Sequence, residues 1–146
     1  MIKISRLDYS QVADIIDQFN PVIEPENLAK DLFKSLRNIE EDVMVMTRGS
    51  EFICVGGFKH LRRGVAEVWL FLDKNAYKYK FEFTKAVKRM VDFGLNEMDL
   101  HRIEAAVPTS LKNGAKFERL LGFELEGVAT NYDSAMQDHW LFARTK

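Results

Sequence analysis

Leu100-His101-Arg102-Ile103-Glu104-Ala105-Ala106-Val107 and, a few residues on, Phe117-Glu118-Arg119-Leu120-Leu121-Gly122-Phe123-Glu124-Leu125-Glu126-Gly127 carry the chain's clearest succession of elements. His101 to Val107 reads as a strand. Leu111 to Leu121 reads as a short helix stopped by Gly122, a common position for a left-handed cap. Phe123 to Val128 and His139 to Ala143 read as two closing strands around a polar turn.

Working upstream, Tyr77 to Met98 carries the longest helical pattern, with Phe83, Val87, Met90, Val91 and Leu95 recurring at helical spacing. Val65 to Leu72 is a near-continuous apolar run, which suits a central strand covered on both faces. Before it, Val43 to Thr47 and Glu51 to Val55 pair as a hairpin around Arg48-Gly49-Ser50. Gly56-Gly57 marks a bulge or a close backbone approach. Met1 to Ser5 reads as a short strand. Asp8 to Phe19 reads as a helix with Val12, Ile15, Ile16 and Phe19 on one face, ended by Pro21. Glu26 to Leu36 reads as a second helix with Leu28, Leu32, Phe33 and Leu36 inward. Strand, two helices, three strands, long helix, strand, helix, two strands is the resulting order. An α/β (α+β) fold with a mixed, mostly antiparallel central sheet flanked by helices buries these faces best.

Composition bounds the function. A chain of 146 residues is one domain at ~100–200 residues per domain, so a single domain over residues 1–146 is expected. Hydrophobic residues at 47% and charged residues at 29% mark a packed globule and not a disordered chain. With 21 basic and 22 acidic side chains the net charge is −1, which gives no global field for nucleic acid or an anionic membrane. Cys54 is the one cysteine, so neither an internal disulfide nor a cysteine-based zinc site is expected. His60, His101 and His139 are too far apart for a metal signature. Apolar runs fall short of the ~20 residues of a membrane span, and Met1-Ile2-Lys3-Ile4-Ser5 lacks a signal-peptide layout. A reducing, cytoplasmic setting is expected.

The strand, helix and Leu121-Gly122-Phe123-Glu124-Leu125-Glu126-Gly127 string resemble the "LGF-x-x-EG" signature of the GNAT acetyltransferases, above all the branch that acetylates ribosomal-protein N-termini. The motif match covers the last third of the chain, and the rest agrees in element order and length. This resemblance implies that acetyl-CoA lies in a cleft where the central strand and the strand after the long helix splay apart. It implies that the pyrophosphate rests on backbone amides at the start of that helix. An amine then attacks the thioester directly, a base or ordered water takes its proton, and an acid, often a tyrosine, reprotonates the CoA sulfur.

Carried over residue by residue, the family's pyrophosphate loop (glutamine or arginine, two residues, glycine, one residue, glycine or alanine) falls on Lys78-Tyr79-Lys80-Phe81-Glu82-Phe83. Small residues there let phosphate oxygens approach the backbone. Phe81 and Phe83 replace them, Glu82 adds a negative charge, and residues 65–93 contain no glycine to restore the motif. Two readings follow. Lys74, Lys78 and Lys80 hold an anion as point charges, or Phe81 and Phe83 are core or interface residues beside a solvated lysine face. The second is preferred. The family's CoA-contacting asparagine falls on Leu111, with Asn113 out of register. Its tyrosine acid falls on Glu118, which a reference pKa near ~4.3 leaves ionised at neutral pH. Tyr132 reads as a turn or strand-edge residue.

Glu67 and Glu104 are the candidate catalytic bases. Their other reading is alternation toward a polar face, and if they face one another each raises the other's pKa. Cys54 sits among apolar neighbours as a buried, inert thiol. Trp69 and Phe71 read as core, and Trp140 as filling a sheet edge or interface. Lys59, Arg62 and Arg63 form a basic cluster that meets an acidic partner or phosphate, or else a solvated turn.

These residues favour a GNAT-fold protein with an impaired acetyl-CoA pyrophosphate site, acting as a non-catalytic binding or assembly module. No cofactor, metal, membrane or nucleic-acid partner is expected. The partner is a protein or a second copy, met through Tyr77, Tyr79 and Trp140. Degenerate GNAT members include small proteins of tailed bacteriophages, some packaged in the virion, so the location is the cytoplasm or the virion. The alternative is an active acetyl-CoA-dependent N-acetyltransferase that modifies a primary amine by direct transfer. An RNA-binding module has only scattered basic residues behind it.

Overall fold

The structure is a computed structural model and describes residues 1–22 and 43–146. The helix expected from Glu26 to Leu36 lies outside the described residues. In chain order the elements are β1 (Lys3–Arg6), a 3-10 turn (Tyr9–Gln11), α1 (Val12–Gln18), β2 (Val43–Arg48), β3 (Glu51–Arg62) and β4 (Val65–Leu72). Then come α2 (Asn75–Lys78), α3 (Lys80–Glu97), β5 (Arg102–Pro108), α4 (Gly114–Leu120), β6 (Glu124–Ala129) and β7 (His139–Thr145). The strands form a seven-stranded sheet in the order β1-β2-β3-β4-β5-β7-β6. Pairing is antiparallel for β1–β2, β2–β3, β5–β7 and β6–β7, and parallel for β4–β5. Parallel neighbours need a crossover, which α2 and α3 supply. This is the mixed, mostly antiparallel sheet expected.

The chain divides into two compact units, Met1–Lys59 with Trp69–Ala86 and His60–Val68 with Val87–Lys146. In the first, Leu7, Val12, Ile15, Phe19, Val43, Val45, Phe52 and Val55 form a buried cluster. Half-buried Ile16, Trp69 and Phe71 pack against it. Phe19 meets Phe52 edge-on at 5.5 Å, an arrangement aromatic quadrupoles favour. The element expected from Asp8 to Phe19 opens as the 3-10 turn, because the Asp8 carboxylate accepts the Ser10 N–H at 3.0 Å. The β2–β3 register shifts between Met46 and Thr47, so the bulge lies there and not at Gly56-Gly57. Gly56 is instead a close approach: a methyl at its Cα would lie 2.5 Å from the Trp69 carbonyl oxygen.

The single helix expected from Tyr77 to Met98 is two helices. Asp73, buried at 3% exposure, accepts the backbone N–H groups of Asn20 at 2.7 Å and Asn75 at 2.9 Å. That caps a short α2 before the periodic apolar pattern begins. Tyr79, at φ −115° and ψ 38°, breaks the helical path before α3. The expected inward face of the long helix is present, with Phe83, Val87, Met90, Val91 and Leu95 buried.

In the second unit β4 contributes Val65, Ala66 and Glu67, which pair with Arg102, Ile103 and Glu104. Along β5, Ile103, Ala105 and Val107 are buried, while Arg102, Glu104 and Ala106 are half-buried. Helix α4 starts at Gly114 and not at Leu111, whose N–H bonds the Pro108 carbonyl in a turn. Gly122 has φ +90°, the left-handed cap expected, and the Phe123 N–H reaches back to the Glu118 carbonyl at 3.0 Å.

Candidate functional site

Residues 78–83 run from the end of α2 through Tyr79 into the first turn of α3. In the first unit Lys78, Tyr79 and Glu82 join a network with Arg48 and Glu51. Lys78 Nζ lies 3.2 Å from Glu51 Oε1, and Arg48 Nε lies 3.4 Å from the Glu82 carboxylate. The Arg48 guanidinium sits 4.2 Å from the centre of the Tyr79 ring, with Lys78 Nζ at 5.1 Å. Burial works against ionisation of Glu82, but the hydrogen bond and charge of Arg48, with the N-terminal ammonium and the Ile2 N–H, together hold the carboxyl below its usual range. Contacts with Tyr79 and Glu51 hold the Lys78 ammonium above its usual range.

The two phenylalanines part company. Phe83 is 4% exposed and belongs to the core, and its N–H donates to the Tyr79 carbonyl at 2.9 Å. Phe81 is 76% exposed, with Lys80 Nζ 5.3 Å from its ring centre. Of the expected core or interface residues, Phe83 takes the core place and Phe81 is exposed, while the expected solvated lysine face is corrected at Lys78, which pairs with Glu51. One ring packs and one points outward, and Lys78 is paired.

In the second unit Glu67, Arg102, Glu104, Glu126 and Tyr132 line a small hollow with Phe142 among its apolar walls. Glu67 and Glu104 are register partners, so the two candidate bases share one site. Arg102 organises the carboxylates. Its Nε donates to Glu104 Oε1 at 2.9 Å, its Nη1 to Glu126 Oε2 at 3.0 Å, and its Nη2 to Glu126 Oε1. Arg62 Nη2 lies 3.6 Å from the same Glu104 oxygen. The Arg102 fork holds the Glu126 carboxyl below its usual range.

Tyr132, expected as a turn or strand-edge residue, lies in the loop between β6 and β7 and also lines the hollow. Burial, then the charges of Glu67 and Glu104, hold its hydroxyl above the ordinary tyrosine range. Its ring lies 4.7 Å from that of His139, whose Nε2 is 2.9 Å from Asp133 Oδ2. Asp133 also accepts the N–H groups of Ala135 and Gln137, fixing the loop that carries the tyrosine. No local pattern could have announced this, because the contact joins a turn to two strands distant in sequence.

Glu118 departs furthest from expectation. It is 7% exposed, and its Oε2 has no hydrogen-bond partner among the described residues. Burial pushes its carboxyl up to about 7, so the expectation of an ordinary ionised glutamate is corrected. Leu111 is half-buried and Asn113 exposed. Cys54 is buried, and desolvation pushes its thiol well up, as an inert thiol requires. Tyr77 is 49% exposed, whereas Tyr79 and Trp140 are half-buried. Among the described residues no group of three or more His, Cys, Asp or Glu is arranged to hold a metal ion, and no helix is long and apolar enough to cross a membrane.

No family model matches the chain. Among curated proteins, the probable N-acetyltransferase YjcK of Bacillus subtilis is 38% identical over 82 residues, 53% of this chain and 44% of its own length. The uncharacterized N-acetyltransferase p20 of Bacillus licheniformis is 28% identical over 108 residues, 70% of this chain and 60% of its own. The chain spans about half the length of the curated relatives it matches. In solved structures, the ribosomal-protein-S5-alanine acetyltransferase of Vibrio fischeri superposes with a TM-score of 0.75 at 20% identity, covering 99% of this chain and 92% of that one. Spermidine/spermine N-acetyltransferase SpeG of Vibrio cholerae gives 0.74 at 15% identity, with 99% and 92% covered. The element order and these superpositions give the chain the fold of the GNAT N-acetyltransferases, and its sequence is similar to that of the two curated N-acetyltransferases.

Proposed function

We propose that this GNAT-fold chain does not seat acetyl-CoA in the family manner and serves as a non-catalytic binding or assembly module. The observation that carries the reading is the side-chain network over residues 78–83. A diphosphate needs bare backbone and a surplus of positive charge. Here Phe83 is anchored in the core where a small residue would stand, and its N–H is engaged by Tyr79. Glu51 and Glu82 set two carboxylates against Lys78 and Arg48. Each exposed pair contributes only ~0–1 kcal/mol, so the pairs alone do not bar an anion. The larger obstacle is that an incoming diphosphate meets two like charges and the anchored ring without gaining glycine backbone.

A protein partner or a second copy is the expected ligand, with exposed Tyr77 and Phe81 as aromatic contacts. Calorimetric titration with acetyl-CoA tests the reading. Only heats of dilution are expected, together with a defined oligomer or complex by light scattering. Micromolar binding overturns it.

One observation favours the alternative, an N-acetyltransferase acting on a primary amine. Glu118 stands at the family position of the thiol acid, and a carboxyl pushed to about 7 meets the requirement for a proton donor near neutrality. Glu67 and Glu104 would then be the candidate bases in their shared hollow, with acetyl-CoA as cofactor.

A further inference from the structure

The turn between β3 and β4 carries charge that the proposed function does not use. Strand β3 is buried from Phe52 through Phe58 and then exposed at four successive positions, Lys59, His60, Leu61 and Arg62. A strand lying on a core alternates between faces, so this end offers both of its faces to solvent. In the second unit, His60, Arg62 and Arg63 surround a depression with His101 and Asp99. Its floor includes Leu100, which is 2% exposed.

The frame under these groups is fixed. Gly64, at φ +75°, offers its carbonyl to the N–H groups of His101 at 2.9 Å and Arg102 at 3.2 Å. Its Cα packs so closely on the His101 imidazole that an added methyl would overlap the ring. The turn and the imidazole are therefore held together by the backbone itself.

We infer that this depression docks a phosphate-class anion. Two guanidinium forks can each present paired donors to phosphate oxygens, and two imidazoles add N–H donors. The Asp99 carboxylate is the one opposing charge in the lining. Arg62 also lies 3.6 Å from Glu104, but it is 65% exposed, and an exposed pair of this kind contributes little against a dianion. None of residues 78–83 takes part, so the inference stands apart from the proposed function.

Amide chemical shifts under titration with inorganic phosphate, phenyl phosphate and, at matched ionic strength, succinate test it. Saturable shifts confined to residues 60–64 and 98–101 are expected with phosphate. Arg63→Gln is expected to weaken them about tenfold, and His60→Gln less, since a charge-assisted hydrogen bond is the stronger. Equal or tighter binding of phenyl phosphate marks a phosphoryl group carried on a larger molecule, and binding of inorganic phosphate alone marks the free ion. Absence of saturable shifts, equal shifts with succinate, or unchanged affinity in Arg63→Gln overturns the inference. Failure of the proposed function would appear elsewhere, at residues 79–83 with acetyl-CoA.

Discussion

Glu118→Gln isolates the energetic consequence of burying a carboxyl whose Oε2 has no hydrogen-bond partner among the described residues. The folded carboxyl is pushed to about 7 from an ordinary 4.5. That gap, at ~1.4 kcal/mol per pH unit, corresponds to about 3 kcal/mol. The sign follows from proton counts. Between the two values the folded chain holds a proton that the unfolded chain has released, so stability falls as pH rises. No penalty is present below the unfolded value, and all of it is present above the folded one. Glutamine has no proton to lose. Its own buried amide shifts stability by an amount independent of pH, and every other titrating group cancels in the comparison. Urea unfolding of both proteins from about pH 4.5 to about pH 8 should show the variant gaining about 3 kcal/mol relative to the parent across that window. Parallel pH profiles would refute the assignment of a buried carboxyl held above its ordinary range.

Other perturbations test the packing and the ion pairs. Phe83→Ala should cost ~3–5 kcal/mol in denaturant unfolding, whereas Phe81→Ala should stay within ~0.5 kcal/mol, because only the first ring is buried. Equal costs would contradict the split between them. Gly56→Ala should destabilise by ~1–3 kcal/mol or more, since its methyl meets the Trp69 carbonyl, and a neutral melting curve would show that the strands yield there. Arg102→Gln should cost ~1 kcal/mol or more by releasing Glu104 and Glu126 together, and the double-mutant cycle with Glu126→Gln should show coupling. Strictly additive costs would deny the fork its bridging role.

Much of the fold was legible because period and turn chemistry are local. Val87, Met90, Val91 and Leu95 announce one face of α3, and Gly122 announces the left-handed stop after α4. The early start of α2 was not legible, because it rests on the Asp73 carboxylate accepting the Asn75 N–H, and the break at Tyr79 carries no proline or glycine to announce it. The fates of Phe81 and Phe83 carried a signal that composition hides. Residues two apart on a helix point about 200° apart, so one ring packs and the other faces out. Glu118 left a similar trace: with Gly114 and Leu121 it completes a stripe at helical spacing, all three buried. Glu67 and Glu104 were found by type and position, but their shared hollow and Tyr132 depend on strand register and a distant turn.

Backbone amide mapping of residues 79–83 during titration with acetyl-CoA asks whether the start of α3 receives a diphosphate. These resonances are expected to stay in place as coenzyme is added. Saturable movement of the Lys80, Phe81 and Glu82 amides would show that the main chain still receives the diphosphate and would contradict that expectation.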